Sequence, residues 1–163
     1  LKQLVQESET PSRLIPVIQA LGNLGVPESI YVLKAIAEGK VNTTTDESHY
    51  GASRNRDGFE NLKALVFLLL DQVINCKQTR SVAIYNLGRV VKQCPSKIKK
   101  EVQKILTPLY ASPLEDPIIR MAAFHSLVAT NPSQAFFTTA ATSTWFIASE
   151  QLNHFVYSTL ESL

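Results

Sequence analysis

Excess charge of either sign is missing from this chain: 16 Lys and Arg stand against 14 Asp and Glu, a formal net charge of +2 at pH 7. Near-neutrality argues against the strongly basic surface that nucleic-acid binding draws on. Long hydrophobic runs are missing too. The longest, Ala64 to Leu70, falls far short of the ~20 residues that cross a bilayer as a helix, so no transmembrane span is expected. No N-terminal segment has the layout of a signal peptide, and there is no initiator Met. The opening LKQLVQ is already spaced like the inside of a helix, so the chain is expected to be a piece of something larger, and its compartment must be read from other features.

Catalytic and metal-binding patterns are equally sparse. The three histidines, His49, His125 and His154, fall in a loop and two different helices, without an H-E-x-x-H pair or an acidic partner at ligand spacing. No G-x-S-x-G turn and no phosphate-cradling glycine loop occurs. No catalytic residue, metal or cofactor is expected. The two cysteines, Cys76 and Cys94, form neither a C-x-x-C nor a zinc pattern. If residues 59–76 and 79–94 pair as an antiparallel hairpin, Cys76 sits at the turn and Cys94 about 20 Å away. A disulfide needs Cα atoms within about 7 Å, so a Cys76–Cys94 bridge is not expected. Each is read as a buried thiol or as paired with a cysteine outside this chain.

What is present is helical periodicity. Hydrophobic residues make up 45% of 163 residues, enough for one domain with a sizeable core. They recur at steps of three and four, while strand-like alternation is scarce. Thr10-Pro11 reads as an N-cap with proline in the first turn. The helix after it carries Leu14, Ile15, Ile18 and Leu21 and ends near Gly22 to Gly25, with Pro16 kinking it or delaying its start. Pro27 opens the next, whose apolar face is Ile30, Val32, Leu33 and Ile36 and whose cap is Gly39. Gly22, Gly25 and Pro27 are thus expected to make the first tight connection.

Residues 40–57 are polar and turn-rich, a stretch longer than most connections inside compact domains, and are read as a surface loop. It contains Asn42-Thr43-Thr44, an N-glycosylation acceptor triplet. From Phe59 to about Asn75 apolar residues occupy nearly every face, which places that helix in an inner layer with Leu65 and Leu69 as packing residues. After a short break at Gln78-Thr79, a helix over Arg80–Gln93 turns Val82, Ile84, Tyr85, Leu87 and Val91 inward. The next, after Cys94-Pro95-Ser96, sets Ile98, Val102, Ile105, Leu106 and Leu109 against Lys97, Lys99, Lys100 and Lys104. Helices over Ile118–Ala129, with Phe124 in the core, over Gln134 to about Ile147 and over Glu150–Leu163 complete the pattern.

About eight helices, joined by short turns, cannot each bury a face alone. Stacked antiparallel pairs forming an all-α superhelix are therefore expected, with a compact bundle as the alternative. Arg89, Lys92, Lys97, Lys99, Lys100 and Lys104 form a basic cluster that suits anionic lipid or a partner's acidic residues, or is simply the solvated side of an amphipathic helix. Glu101 inside the run weakens the polyanion reading.

Four stretches carry a family resemblance: ALGNLGVPESIYVLKAI at 20–36, SVAIYNLGRVVKQCP at 81–95, DPIIRMAAFHSLVATNPS at 116–133 and QLNHFVYSTLESL at 151–163. In this order they resemble the helical domain of the large lipid transfer proteins: vitellogenins, insect apolipophorins, apolipoprotein B and the large subunit of microsomal triglyceride transfer protein. The resemblance implies that the whole chain, 1–163, belongs to one vitellogenin-type helical domain. That domain is a two-layered, right-handed superhelix bracing β-sheets that hold lipid and lie outside this chain. It further implies a secreted glycoprotein that transports or stores lipid, with lipid held by other domains and a cell-surface receptor or self-association as partners. Phe155 and Tyr157 of the closing motif are read as packing residues. The competing reading is a generic α-solenoid interaction module, which explains the helix pairs but not the order of the four stretches.

Overall fold

The computed structural model describes residues 14–39, 76–92 and 94–163, and every regular element among them is helical. Residues 14–24 form α1. The others are α2 (Ser29–Glu38), α3 (Lys77–Val91), α4 (Ser96–Ala111), α5 (Pro117–Ala129), α6 (Gln134–Ser143), a 3-10 turn at Thr144–Phe146, and α7 (Glu150–Glu161). The Thr10-Pro11 cap, the 40–57 loop with Asn42, and the 59–75 helix with Leu65 and Leu69 lie outside the described residues.

Local chemistry sets the helix ends. Gly25 (φ 64°) and Gly39 (φ 65°) adopt the left-handed conformation that costs glycine nothing, and the Gly39 N–H closes α2 by bonding to the carbonyls of Ala35 and Ile36. Asn131 (φ 55°) does the same after α5, a position that asparagine tolerates better than most residues. Asp116 and Ser149 cap α5 and α7, accepting from the Ile118 and Leu152 N–H groups. Two boundaries differ from the periodicity. α3 starts at Lys77, not Arg80, because the Cys76 carbonyl already accepts the Arg80 N–H and draws Gln78-Thr79 into the first turn. α6 stops at Ser143 and tightens into the 3-10 turn before Ile147.

The helices stack in rows. α2, α3, α5 and α7 lie side by side, each packed on the next, while α4 packs on α5 and α6 on α7 as a second layer. The stacked pairs of a helical superhelix, not a compact bundle, thus account for the packing. Between the layers runs a continuous core of fully buried side chains: Leu14, Ile18 and Leu21 of α1, Leu33 and Ile36 of α2, Ile84 and Leu87 of α3, Leu106 of α4, Ile119, Phe124 and Leu127 of α5, and Leu152 and Val156 of α7. Tyr85 and Tyr157 are corrections: both are exposed, Tyr85 at the edge of the α3–α5 seam and Tyr157 on the outer side of α7. Phe155, by contrast, packs partly buried against the core.

Two glycines let neighbouring helices close up. Gly22 of α1 lies against the side chain of Asn86 in α3, and Gly88 of α3 lies against Ser126 of α5. A Cβ on Gly88 would come within 2.9 Å of the Ser126 Cα and 2.7 Å of its Oγ, so backbone as well as side chain would have to move. Alanine is the better helix former by about 1 kcal/mol, but that gain is smaller than the overpacking cost. Gly88→Ala is expected to lower stability by about 1–3 kcal/mol, read as a drop in the urea midpoint. A midpoint that rose would mean that α3 and α5 are not this close.

Candidate functional site

The first tight connection, α1 to α2, is built as its residue types require. Gly22 is buried where α1 meets Asn86, Gly25 takes the positive φ, and Pro27 stands exposed in the turn before α2. Asn86 is itself 3% exposed; it donates through Nδ2 to the Val82 carbonyl, while its Oδ1 faces Gly22. Ser29 ties the turn down through its hydroxyl, which donates to the Val26 carbonyl at 2.5 Å.

A polar clamp joins α2, α3 and the turn before α5. Arg80 of α3 donates through Nε to the carbonyl of Ala37 in α2 at 3.0 Å. Its two terminal nitrogens donate to both oxygens of Glu115, just before α5, at 3.1 and 2.8 Å. The pair is largely shielded from water, at 16% and 24% side-chain exposure, so it escapes most of the screening that makes surface pairs weak. Next to it, Lys77 donates to Asp116 at 3.0 Å. The Asp116 carboxyl is held below its usual range by the Ile118 N–H and then by Lys77. A carboxylate with a lowered pKa stabilises the fold across neutral pH and loses that contribution only in acid, as the pH falls through the lowered value.

Aromatic rings knit α4, α5 and α6. Phe124, fully buried, lies 5.1 Å from the Tyr110 ring and 6.1 Å from Phe136, centroid to centroid. The Tyr110 hydroxyl meets Ser143 at 3.2 Å, and the Tyr110 carbonyl accepts from Arg120 Nε at 2.9 Å.

A cleft of about 600 Å³ opens between α2 and α4. Ile30, Ile98, Ile105 and Leu109 form its apolar wall, with Lys34, Lys104, Glu38, Glu101 and Glu115 among the polar residues. Among the described residues its lining has no serine, cysteine or histidine, and no group of His, Cys, Asp and Glu is placed to hold a metal ion.

Five of the six cations of the basic cluster are exposed, and Lys99 is half-buried. Lys97, Lys100 and Lys104 run along the exposed side of α4, with Lys104 at the cleft. The charge of Lys99 acts on Cys94 and that of Lys92 on His125. Arg89 is exposed on α3. None of the six forms an ion pair with a described residue; the pairs among those residues are Lys77–Asp116, Arg80–Glu115 and His154–Glu150. His125 is stacked edge-on with Tyr85 at 5.3 Å, and burial first, then Lys92, pushes its pKa down.

Both cysteines are free thiols, one at each end of α3. Cys94 is buried, which raises its pKa against the opposing pull of Lys99, and it donates to the Val90 carbonyl at 3.3 Å. At Cys76 burial alone would raise the pKa, but the Thr79 and Gln78 N–H groups, the Thr79 hydroxyl and Lys77 outweigh it and hold the thiol below its usual value.

This row-and-layer geometry agrees with what the chain is similar to. Residues 62–161 match the vitellogenin TPR domain. The chain belongs to the vitellogenin TPR domain family. It is also 27% identical over 158 residues to the hemolymph clottable protein of Penaeus monodon, an alignment that takes in 97% of this chain and 7% of the relative. The chain therefore spans a small fraction of that protein's length. No solved structure matches it. No described helix is long and apolar enough to cross a membrane. The four stretches that resemble the family fall on α1–α2, α3, α5 and α7. These include every helix of the continuous row.

Proposed function

We propose that this chain is a structural helical scaffold within a secreted lipid transport or storage protein, where it braces lipid-holding sheets contributed by other parts of that protein. The observation that carries the reading is the family match, joined to a stack whose helix contacts are made by fixed packing rather than by an adaptable cavity. The row is locked by Gly22 against Asn86, by Gly88 against Ser126 and by the Arg80–Glu115 clamp. A brace needs this stiffness, because interiors packed at crystal-like density pass strain on without yielding. The acceptor triplet at Asn42 suits passage through a secretory pathway. The lysines of α4 fit a solvated outer face, since Glu101 interrupts them and none of them forms an ion pair among the described residues.

Flotation tests the brace directly. The purified protein, mixed with a phosphatidylcholine–triolein emulsion and centrifuged through a density gradient, is expected to stay in the dense fractions while the lipid rises. Co-flotation with the emulsion would overturn the bracing role in favour of direct lipid carriage. The generic interaction-module reading leaves the family match without an explanation.

A further inference from the structure

α3 begins on a cysteine where a helix normally begins on serine, threonine, aspartate or asparagine. Cys76 holds the N-cap position with extended backbone (φ −68°, ψ 115°), yet its side chain accepts nothing from the first-turn N–H groups. Its thiol instead donates to the Gln78 side-chain oxygen at 3.6 Å. Three residues on, Thr79 stands at the position from which the side chain of a capping box reaches back to the N-cap. Thr79 is fully buried, and its hydroxyl finds no hydrogen-bond partner among the described residues. An orphaned hydroxyl in such a place is costly, and its neighbour is the sulfur.

Ionisation of the thiol supplies the missing acceptor. A neutral thiol accepts weakly, whereas a thiolate is a charged acceptor that binds its donors more strongly. Burial of the sulfur opposes ionisation, but the Thr79 N–H and hydroxyl, the Gln78 N–H and the Lys77 charge outweigh it. The two carboxylates of the turn before α5 are already paired, Glu115 to Arg80 and Asp116 to Lys77, and Glu38 of α2 lines the cleft. The sulfur is also within reach of a reagent: Cys76 is half-buried. Cys94, at the other end of α3, is buried and donates to the Val90 carbonyl.

We infer that Cys76 is a site of reversible S-thiolation, at which the sulfur capping α3 exchanges with low-molecular-weight disulfides while Cys94 stays inert. The Cys76 thiolate attacks one sulfur of R–S–S–R; the Cys76–S–S–R bond forms as the original S–S bond breaks, and the second sulfur leaves as RS⁻ with the electron pair. Cys76 is oxidised, half of the reagent is reduced, and no other co-reactant is needed. The reverse step is helped by the same donors, because a thiolate stabilised at a helix start is a better leaving group. The inference goes beyond the bracing role and does not depend on it.

Two disulfides probe the site in the purified protein: dithiobis(nitrobenzoic acid), read by the absorbance of the released thiolate, and glutathione disulfide, read by the mass of the labelled peptide. One fast equivalent is expected near neutral pH, carried by the peptide containing Cys76, absent from Cys76→Ser and about tenfold or more faster than Cys94. Its rate should level off below the pH at which a free thiol, of pKa about 8.5, does so. Thr79→Val keeps the shape and removes the hydroxyl. It should move that profile to higher pH and slow the reaction about threefold near neutrality, with the melting temperature kept, while Thr79→Ser restores both. A wild-type profile like that of a free thiol, or one that Thr79→Val does not move, sinks the inference. Failure of either reagent to label Cys76 does so as well, since the sulfur is then inaccessible or already bonded.

Discussion

Phe124→Ala is expected to cost about 3–5 kcal/mol, the range for removing a fully buried aromatic ring. The upper part of that range applies, because the ring sits where α4, α5 and α6 meet and its loss also takes one ring contact from each of Tyr110 and Phe136. Of the two neighbours, Tyr110 is not free to fall into the space. Tyr110 is anchored by its hydroxyl to Ser143 and by its carbonyl to Arg120, so the cavity stays open and its cost remains. In a domain of this size each kcal/mol lowers the melting temperature by about 2–4 °C, so calorimetry should show a fall of about 6–20 °C. Phe124→Leu, which refills much of the volume, should recover about half. A melting temperature unchanged by Phe124→Ala would mean that the three helices do not share this core.

Arg80→Ala comes next, at about 2–4 kcal/mol. Removing the guanidinium leaves the Ala37 carbonyl and the Glu115 carboxylate without their donor in a place where water reaches them poorly. The large term is that uncompensated desolvation rather than the intrinsic strength of the pair. Arg80→Lys should recover only part of it, because one ammonium cannot reproduce a two-oxygen fork and a third bond to Ala37 together. A double-mutant cycle with Glu115→Gln, read by urea unfolding, isolates the pairwise part. Coupling indistinguishable from zero would show that the clamp is screened like an ordinary surface pair.

Most helix positions were legible in the sequence because each follows from a local rule. Pro117 after Asp116, Gly39 after Glu38 and the three- and four-residue steps of Ile98, Val102 and Leu106 each carry their meaning within one or two turns. Boundaries were less legible. Gln78-Thr79 looks like a break by residue type, but a carbonyl at Cys76 was enough to include it in α3. Tyr85 was misplaced for a related reason: helical spacing defines a face about 100° wide, and whether its edge is covered depends on how close the neighbouring helix lies. Phe155 and Tyr157, alike in type and two residues apart, separate on the same ground.

By itself the sequence determined an all-α stack of paired helices, the type of its caps, the family it resembles and a core that includes Phe124. The resemblance rests on four matched stretches of sequence; the rest follows from periodicity and from residues whose backbone preferences act at short range. Only the tertiary structure decided which helices adjoin. That adjacency sets Gly88 against Ser126 and Gly22 against Asn86, and brings Arg80 to a carboxylate 35 residues away. Such outcomes depend on distances between segments remote in the chain, and hydrophobic spacing says which side of a helix is buried but not what buries it.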